Sequence, residues 1–180
     1  MKKYRNKEIG ILGGSFDPVH KGHLAISKIA IKKIKLQKLY WIITKKNPFK
    51  SKPFFSLKKR VTEAKRICKS YKKIEVLYLD EKIRSSRSIK IIRYIIKNMK
   101  PKNLYFIVGS DILLKFHKWK SWKKIVELVK LVVFSRKGYD RNSKESTVVK
   151  YLNKNNITFI KNKPIKISST TLRKKMIRSN

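Results

Sequence analysis

The chain has 180 residues, 41% of them hydrophobic, which is enough to fold one domain around its own core and excludes a disordered chain. It carries 49 Lys and Arg against 10 Asp and Glu, a formal net charge of +39. The basic residues are spread along the whole chain and form no block with interleaved aromatics, so we expect no specific nucleic-acid partner, only weak, salt-sensitive binding to polyanions.

Apolar runs that predict strands alternate along the chain with segments of helical periodicity. The predicted strands are Glu8–Ser15, Leu39–Thr44, Ile74–Leu79, Leu104–Val108, Leu131–Ser135 and Ile157–Ile160. The predicted helices are His23–Leu36, Leu57–Lys69, Ser88–Asn98, Trp122–Leu128, Ser146–Asn153 and a last helix from Ser169. Strands this uniformly apolar are buried on both faces, which predicts an α/β fold with a Rossmann-like parallel sheet flanked by helices, in a single domain over residues 1–180.

Ligands of such sheets bind outside the carboxyl ends of the strands. Five segments are therefore candidates for the functional site: 13–23, 44–50, 109–111, 135–136 and the loop before Ser169.

The segment after the first strand reads Gly-Gly-Ser-Phe-Asp-Pro-Val-His-Lys-Gly-His and covers residues 13–23. Gly13 and Gly14 let a ligand approach the backbone closely. His20 and His23 lie three residues apart where the next helix begins, so both can face one spot. Imidazoles and N–H groups at a helix N-terminus predict an anion site. Zinc would need further ligands, and no Cys or Glu accompanies the pair, so we expect no metal held by the protein itself.

The second segment, Ile-Ser-Ser-Thr-Thr-Leu-Arg, covers residues 167–173. Ser169 or Thr170 is the expected N-cap of the last helix, whose first N–H groups can bind phosphate oxygens. Arg173 lies on the first turn and offers a forked donor to the same phosphates. Alone this is an ordinary helix start, and its significance comes from its coexistence with the first segment.

Together the two segments resemble the HxGH and ISSTxxR signatures of the nucleotidyltransferase superfamily. The middle of the chain resembles the bacterial nicotinate-nucleotide adenylyltransferases, which show FxxGxD, HxW and SRxG in this order and spacing. The matching stretches are Phe106–Asp111, Phe116–Trp119 and Val133–Asp140. The resemblance runs from about Ile9 to Arg173.

The resemblance implies the transfer of AMP from ATP, with Mg²⁺, to nicotinate mononucleotide in NAD biosynthesis. It implies that catalysis rests on His20, His23 and Arg173, which would bind the ATP phosphates. The residues that it places around ATP are Gly13, Gly14, Ser15, Phe16, His20, His23, Gly109, Asp111, Ser168, Ser169, Thr170 and Arg173, with Asp111 on the ribose. Those that it places around the mononucleotide are Lys50, Ser86, Trp119 and Arg136, with Trp119 stacked on the pyridine ring.

Two departures from the family pattern affect the acceptor. Asn47–Lys50 stands where relatives often carry a PPHK-like loop, and Ser86–Ile91 keeps little of their SYTxxT segment. Phosphopantetheine adenylyltransferase and nicotinamide mononucleotide adenylyltransferase are the alternative activities. The sequence leaves the oligomeric state open, and a homo-oligomer is among the states that it allows.

We expect a location in the cytoplasm. No stretch approaches the roughly 18 apolar residues needed to span a bilayer, so no membrane partner is expected. The apolar run Ile9–Leu12 is interrupted by Gly13 and Gly14 before a signal peptide could form. The single cysteine, Cys68, fits a reducing compartment and is expected to be a buried hydrophobe.

Overall fold

Six parallel strands form the centre of the computed structural model, which describes residues 6–45, 53–152, 154–162 and 167–178. The strands are β1 (Glu8–Gly14), β2 (Lys38–Ile43), β3 (Ile74–Tyr78), β4 (Asn103–Gly109), β5 (Lys130–Phe134) and β6 (Ile157–Ile160). Each predicted strand is confirmed to within one residue. Their order is β3-β2-β1-β4-β5-β6, so the order reverses between β1 and β4, where parallel sheets bind ligands.

The helices are α1 (Lys21–Lys33), α2 (Leu57–Cys68), α3 (Ser88–Met99), α4 (Ser110–Leu113), α5 (Trp122–Leu128), α6 (Asp140–Lys144), α7 (Thr147–Tyr151) and α8 (Ser169–Arg178). The first predicted helix begins earlier than expected, because the side chain of His20 caps it, and it ends before Lys35, whose φ is 56°. The sequence analysis missed α4 and α6, since helices of four or five residues are too short to show a period.

The core has two layers, one on each face of the sheet, because successive strand side chains point to opposite faces. On one face Ile9 and Ile11 pack with Ile92 of α3 and Ile125 of α5. On the other face the packing partners are Leu12, Trp41 and Ile107 from the strands, Ala30 from α1 and Ala64 from α2. Helices on both faces leave the carboxyl end of the sheet as the open edge.

Cys68 is buried among the side chains of the second layer, and burial raises the pKa of its thiol to about 12. The prediction that it is a core residue is confirmed. Within the ranges that the structure describes, no helix has the length and apolar character needed to cross a membrane.

Candidate active site

A cavity of about 930 Å³ lies at the carboxyl ends of the central strands. This volume is at the upper end of the range of ligand pockets, roughly 300–1,000 Å³. The predicted site residues that line it are Gly13, Gly14, Ser15, Phe16, His20, His23, Ser86, Gly109, Asp111, Trp119, Arg136 and Ser169. Ser168, Thr170 and Arg173 lie outside its wall, and Lys50 lies outside the described residues.

His20 and His23 are fixed by hydrogen bonds at the start of α1. The Nδ1 atom of His20 accepts from the N–H of Gly22 at 3.1 Å, and Nδ1 of His23 accepts from the N–H of His20 at 3.2 Å. The two ring centroids are 3.9 Å apart. Because each Nδ1 accepts a hydrogen bond, the proton of each neutral ring is on Nε2. Both imidazoles can therefore donate through Nε2.

The imidazole of His20 is only 7% exposed. Its burial, together with the positive charge of Arg136, lowers its pKa to about 4. His20 is therefore neutral at pH 7. The negative charge of an anion bound beside it would raise this pKa.

Aromatic packing supports the second histidine. Phe16, which adopts a φ of 47°, places its ring 4.7 Å from His23 and 5.1 Å from Trp41. The indole N–H of Trp41 donates to Ser27 Oγ at 2.8 Å, and that hydroxyl donates to the carbonyl of His23 at 2.7 Å. The first turn of α1 is thus attached to β2 through a buried polar chain.

The start of α8 packs directly on the histidine loop, although the two segments are about 150 residues apart in sequence. Ser169 Oγ donates to the carbonyl of Pro18 at 2.9 Å. The guanidinium of Arg173 donates to the carbonyl of Asp17 and lies 3.5 Å from its Oδ2. Arg173 therefore contacts the loop that carries the histidines, beside the cavity.

The predicted N-cap of α8, Ser169 or Thr170, was wrong. Ser168 Oγ accepts a hydrogen bond from the N–H of Thr171 at 3.1 Å, whereas the hydroxyl of Ser169 is engaged by Pro18. Ser168 is therefore the capping residue. The side chain of Ser169, which the local pattern favoured, makes a tertiary hydrogen bond to Pro18 instead.

The strand-end residues of β4 and β5 face each other across Gly109. Asp111 Oδ1 lies 3.9 Å from Arg136 Nε, and a Cβ added at Gly109 would lie 2.3 Å from that carboxylate oxygen. A side chain at position 109 would therefore displace the Asp111 carboxylate from this position. Asp140, which the sequence analysis did not single out, accepts from Ser110 Oγ at 2.8 Å and from the Arg136 N–H at 2.9 Å, and so fixes the backbone of Arg136.

Trp119 also lines the cavity. Its ring stacks on Phe116 at 4.7 Å with an interplanar angle of 16°, and it meets the edge of Phe106 at 5.9 Å. Phe116 is fully buried, so one face of the indole is packed on the core while the residue lines the cavity. Such a ring is a rigid surface on which a ligand can stack.

Three charged residues near the site are buried and were missed by sequence reasoning: Asp17, Arg60 and Asp80. Arg60 carried a usable signal, since it falls on the apolar face of α2 that includes Ala64 and Cys68. A charged residue at helical spacing within a buried face needs buried partners.

Comparisons with known proteins agree on one family. The cytidylyltransferase-like family matches residues 11–175. A probable nicotinate-nucleotide adenylyltransferase of Pelagibacter ubique is 45% identical over 170 residues, 94% of each chain, and one of Nitratiruptor is 38% identical over 73% of this chain and 75% of its own. The fold matches that of the Plasmodium falciparum nicotinic acid mononucleotide adenylyltransferase complexed with NaAD, with a TM-score of 0.75 at 19% identity over 94% of this chain and 83% of that one.

Proposed function

Since this chain belongs to the cytidylyltransferase-like family, we propose that it transfers the adenylyl group of ATP to nicotinate mononucleotide, giving nicotinate adenine dinucleotide and pyrophosphate in NAD biosynthesis. The geometric observation that carries the proposal is the capped histidine pair, which lines a cavity of about 930 Å³ together with the strand-end residues Gly109, Asp111 and Arg136.

The triphosphate of ATP binds at the start of α1. The Nε2–H groups of His20 and His23 and the helix N-terminus all present donors to its oxygens. Binding of the anion raises the pKa of His20 from about 4, and the Nε2–H of His20 is already in place as a donor for the negative charge that develops on the leaving pyrophosphate. Arg173, which contacts Asp17 beside the cavity, adds a forked donor to the same phosphates.

The nucleophile is the 5′-phosphate of the mononucleotide, which is already anionic at pH 7, so no general base is needed. Its oxygen forms a bond to the α-phosphorus of ATP while the bond to the bridging oxygen of pyrophosphate breaks. The protein supplies alignment of the two polyanions, worth roughly 7–11 kcal/mol, and stabilisation of the charge that develops.

Nucleotidyltransferases use a divalent metal ion together with ATP. Within the described part of the chain, no group of three or more His, Cys, Asp or Glu side chains could hold a metal ion. A site without such a group of side chains still fits Mg²⁺, because Mg²⁺ keeps several of its waters and binds mainly through substrate phosphates. When bound, Mg²⁺ neutralises phosphate charge, and His20 and His23 orient the phosphates that carry it.

The two nucleoside ends occupy the remaining walls. Asp111 lines the cavity and its Oδ1 accepts no hydrogen bond from the described residues, so this carboxylate is suited to a ribose hydroxyl of ATP. Trp119 offers an indole face to the pyridine ring, and Arg136 lines the same cavity. The cavity is also lined by the cationic residues Arg87, Lys118, Lys120 and Lys137, which favours the carboxylate of nicotinate over the neutral amide.

The proposal is tested by incubating the protein with Mg·ATP and, separately, nicotinate mononucleotide, nicotinamide mononucleotide and phosphopantetheine. Pyrophosphate release and product formation by chromatography are measured together. We expect the highest kcat/KM with nicotinate mononucleotide. A higher value with phosphopantetheine would contradict the proposed activity, and a higher value with the nicotinamide compound would reverse the acceptor preference.

A further inference from the structure

Arg60 of α2 is a charged side chain with only 2% exposure. Its guanidinium donates four hydrogen bonds, and all four acceptors are backbone carbonyls. Nη1 reaches Ser15 at 2.6 Å and Thr44 at 2.8 Å, Nη2 reaches Lys45 at 3.1 Å and Nε reaches Phe55 at 3.2 Å. One side chain thus joins the loops that follow β1 and β2 to the segment that leads into α2.

Burying a guanidinium is unfavourable unless its charge and its N–H groups are matched. Burial lowers the pKa of Arg60, and the negative charges of Asp17 and Asp80 act against that shift. Both carboxylates bind the same loops: Asp17 accepts the N–H groups of Phe54 and Phe55 at 2.9 Å, and Asp80 accepts that of Lys45 at 2.8 Å. The charged network therefore acts on loop backbone at the site.

This network leads directly to the groups proposed to bind phosphate. Ser15, whose carbonyl Arg60 holds, is followed by Phe16, whose ring supports His23 at 4.7 Å. Asp17, which neutralises Arg60, also lies 3.5 Å from the guanidinium of Arg173. A shift of the loop after β1 would therefore move a histidine and the arginine together.

We propose that Arg60 is a positioning residue for adenylyl transfer, which sets the loop after β1, and with it His23 and Arg173, in the geometry that the triphosphate requires. The inference rests on the proposed function. Arginine suits this task because its planar fork offers five donors, whereas lysine is a single point of charge that cannot reach four carbonyls at once.

The test compares the steady-state kinetics of Arg60→Lys and Arg60→Gln with those of the unaltered protein. We expect kcat to fall about 10- to 100-fold in Arg60→Lys and further in Arg60→Gln, with KM for the mononucleotide within about threefold, because misplacement of about 1 Å can lower rates about 100-fold. The NMR resonances of the His23 ring, whose chemical shifts depend on the ring currents of Phe16 and Trp41, should shift in both variants.

Ala64→Gly is the matched control. Ala64 is fully buried on the same helix, so the change lowers stability without touching the network. It should lower Tm while leaving kcat and the His23 resonances unchanged. The inference is overturned if a folded Arg60→Lys keeps full kcat, or if Ala64→Gly loses as much kcat at a comparable Tm. If the unaltered protein makes no dinucleotide, the proposed function fails, and the resonances alone still decide whether Arg60 positions His23.

Discussion

The two ends of the cavity are held in opposite ways. At the end where the ATP phosphates are proposed to bind, His20, Asp17 and Arg60 are each less than 10% exposed, and each makes hydrogen bonds to backbone groups. At the acceptor end, Arg87 and Lys120 are exposed cations that line the same cavity. One end is therefore fixed by buried bonds, and the other depends on charge and on the ring of Trp119.

This difference matches the demands of the proposed reaction. Stabilising charge on a transferring phosphoryl group requires donors that are already in place, because moving them during the reaction would lose the gain. Recognition of a mononucleotide base needs a flat surface and a favourable potential, which tolerate more freedom. We therefore expect large kinetic effects from substitutions at the phosphate end and small, substrate-selective effects at the acceptor end.

The largest effect is expected for His23→Ala, which removes a preorganised donor from the leaving phosphates. It should lower kcat about 100-fold or more while the fold is retained. His23→Gln, whose amide can still donate, should recover part of the loss. Steady-state kinetics with circular dichroism as the check on folding decide the matter, and full activity in His23→Ala would remove the histidine from the mechanism.

Acid should destabilise the ligand-free protein through His20. Its pKa is about 4 in the folded state against an ordinary 6.5, so the unfolded chain binds the extra proton between these values. The stability due to neutral His20 is complete above pH 6.5 and is lost as pH falls towards 4, by about 2 kcal/mol at pH 5.

Urea unfolding of the unaltered protein and of His20→Gln at pH 7 and pH 5 isolates this contribution, because carboxylates titrate equally in both. The difference in unfolding free energy between the two proteins should change by about 2 kcal/mol between the two pH values. Equal changes in both proteins would mean that His20 is not the titrating group.

At the acceptor end, Trp119→Ala should raise KM for the mononucleotide about tenfold and leave KM for ATP nearly unchanged, because a base stacked on an aromatic ring gains about 1–3 kcal/mol. The matched control is Trp122→Ala, since Trp122 packs against Tyr151 at 5.1 Å and does not line the cavity. Equal effects of Trp119→Ala on both substrates would reject stacking and leave the indole as a packing residue.

The sheet could be predicted from the sequence because buried parallel strands appear as continuous apolar runs. The predicted ends of each strand agree with the structure to within one residue. The sequence also predicted that the strand-end segments face one cavity, since that follows from topology alone. The segment at Gly13–His23 needed no tertiary information, because its histidines cap their own helix.

What the sequence could not predict depends on partners distant along the chain. Arg60 donates to carbonyls 5 to 45 residues away, and the sequence around Arg60 does not indicate which carbonyls these are. Ser168 caps α8 in place of Ser169, because Ser169 Oγ donates to the carbonyl of Pro18, which is 151 residues away in sequence. Local sequence patterns determine the helices and strands, whereas the hydrogen bonds that position the site residues are tertiary contacts.

The smallest effect is expected for Arg87→Met, and it bears most directly on the choice of acceptor. Arg87 lines the cavity at the start of α3 but is exposed, so its attraction for a carboxylate is screened by water. An exposed pair contributes about 0.2–1 kcal/mol, so KM for nicotinate mononucleotide should rise by about 1.4- to 5-fold and that for nicotinamide mononucleotide should stay unchanged. Arg93→Met is the control, because Arg93 is exposed on the same helix outside the cavity. If Arg87→Met weakens both mononucleotides equally, Arg87 does not recognise the carboxylate, and the preference for nicotinate has another source.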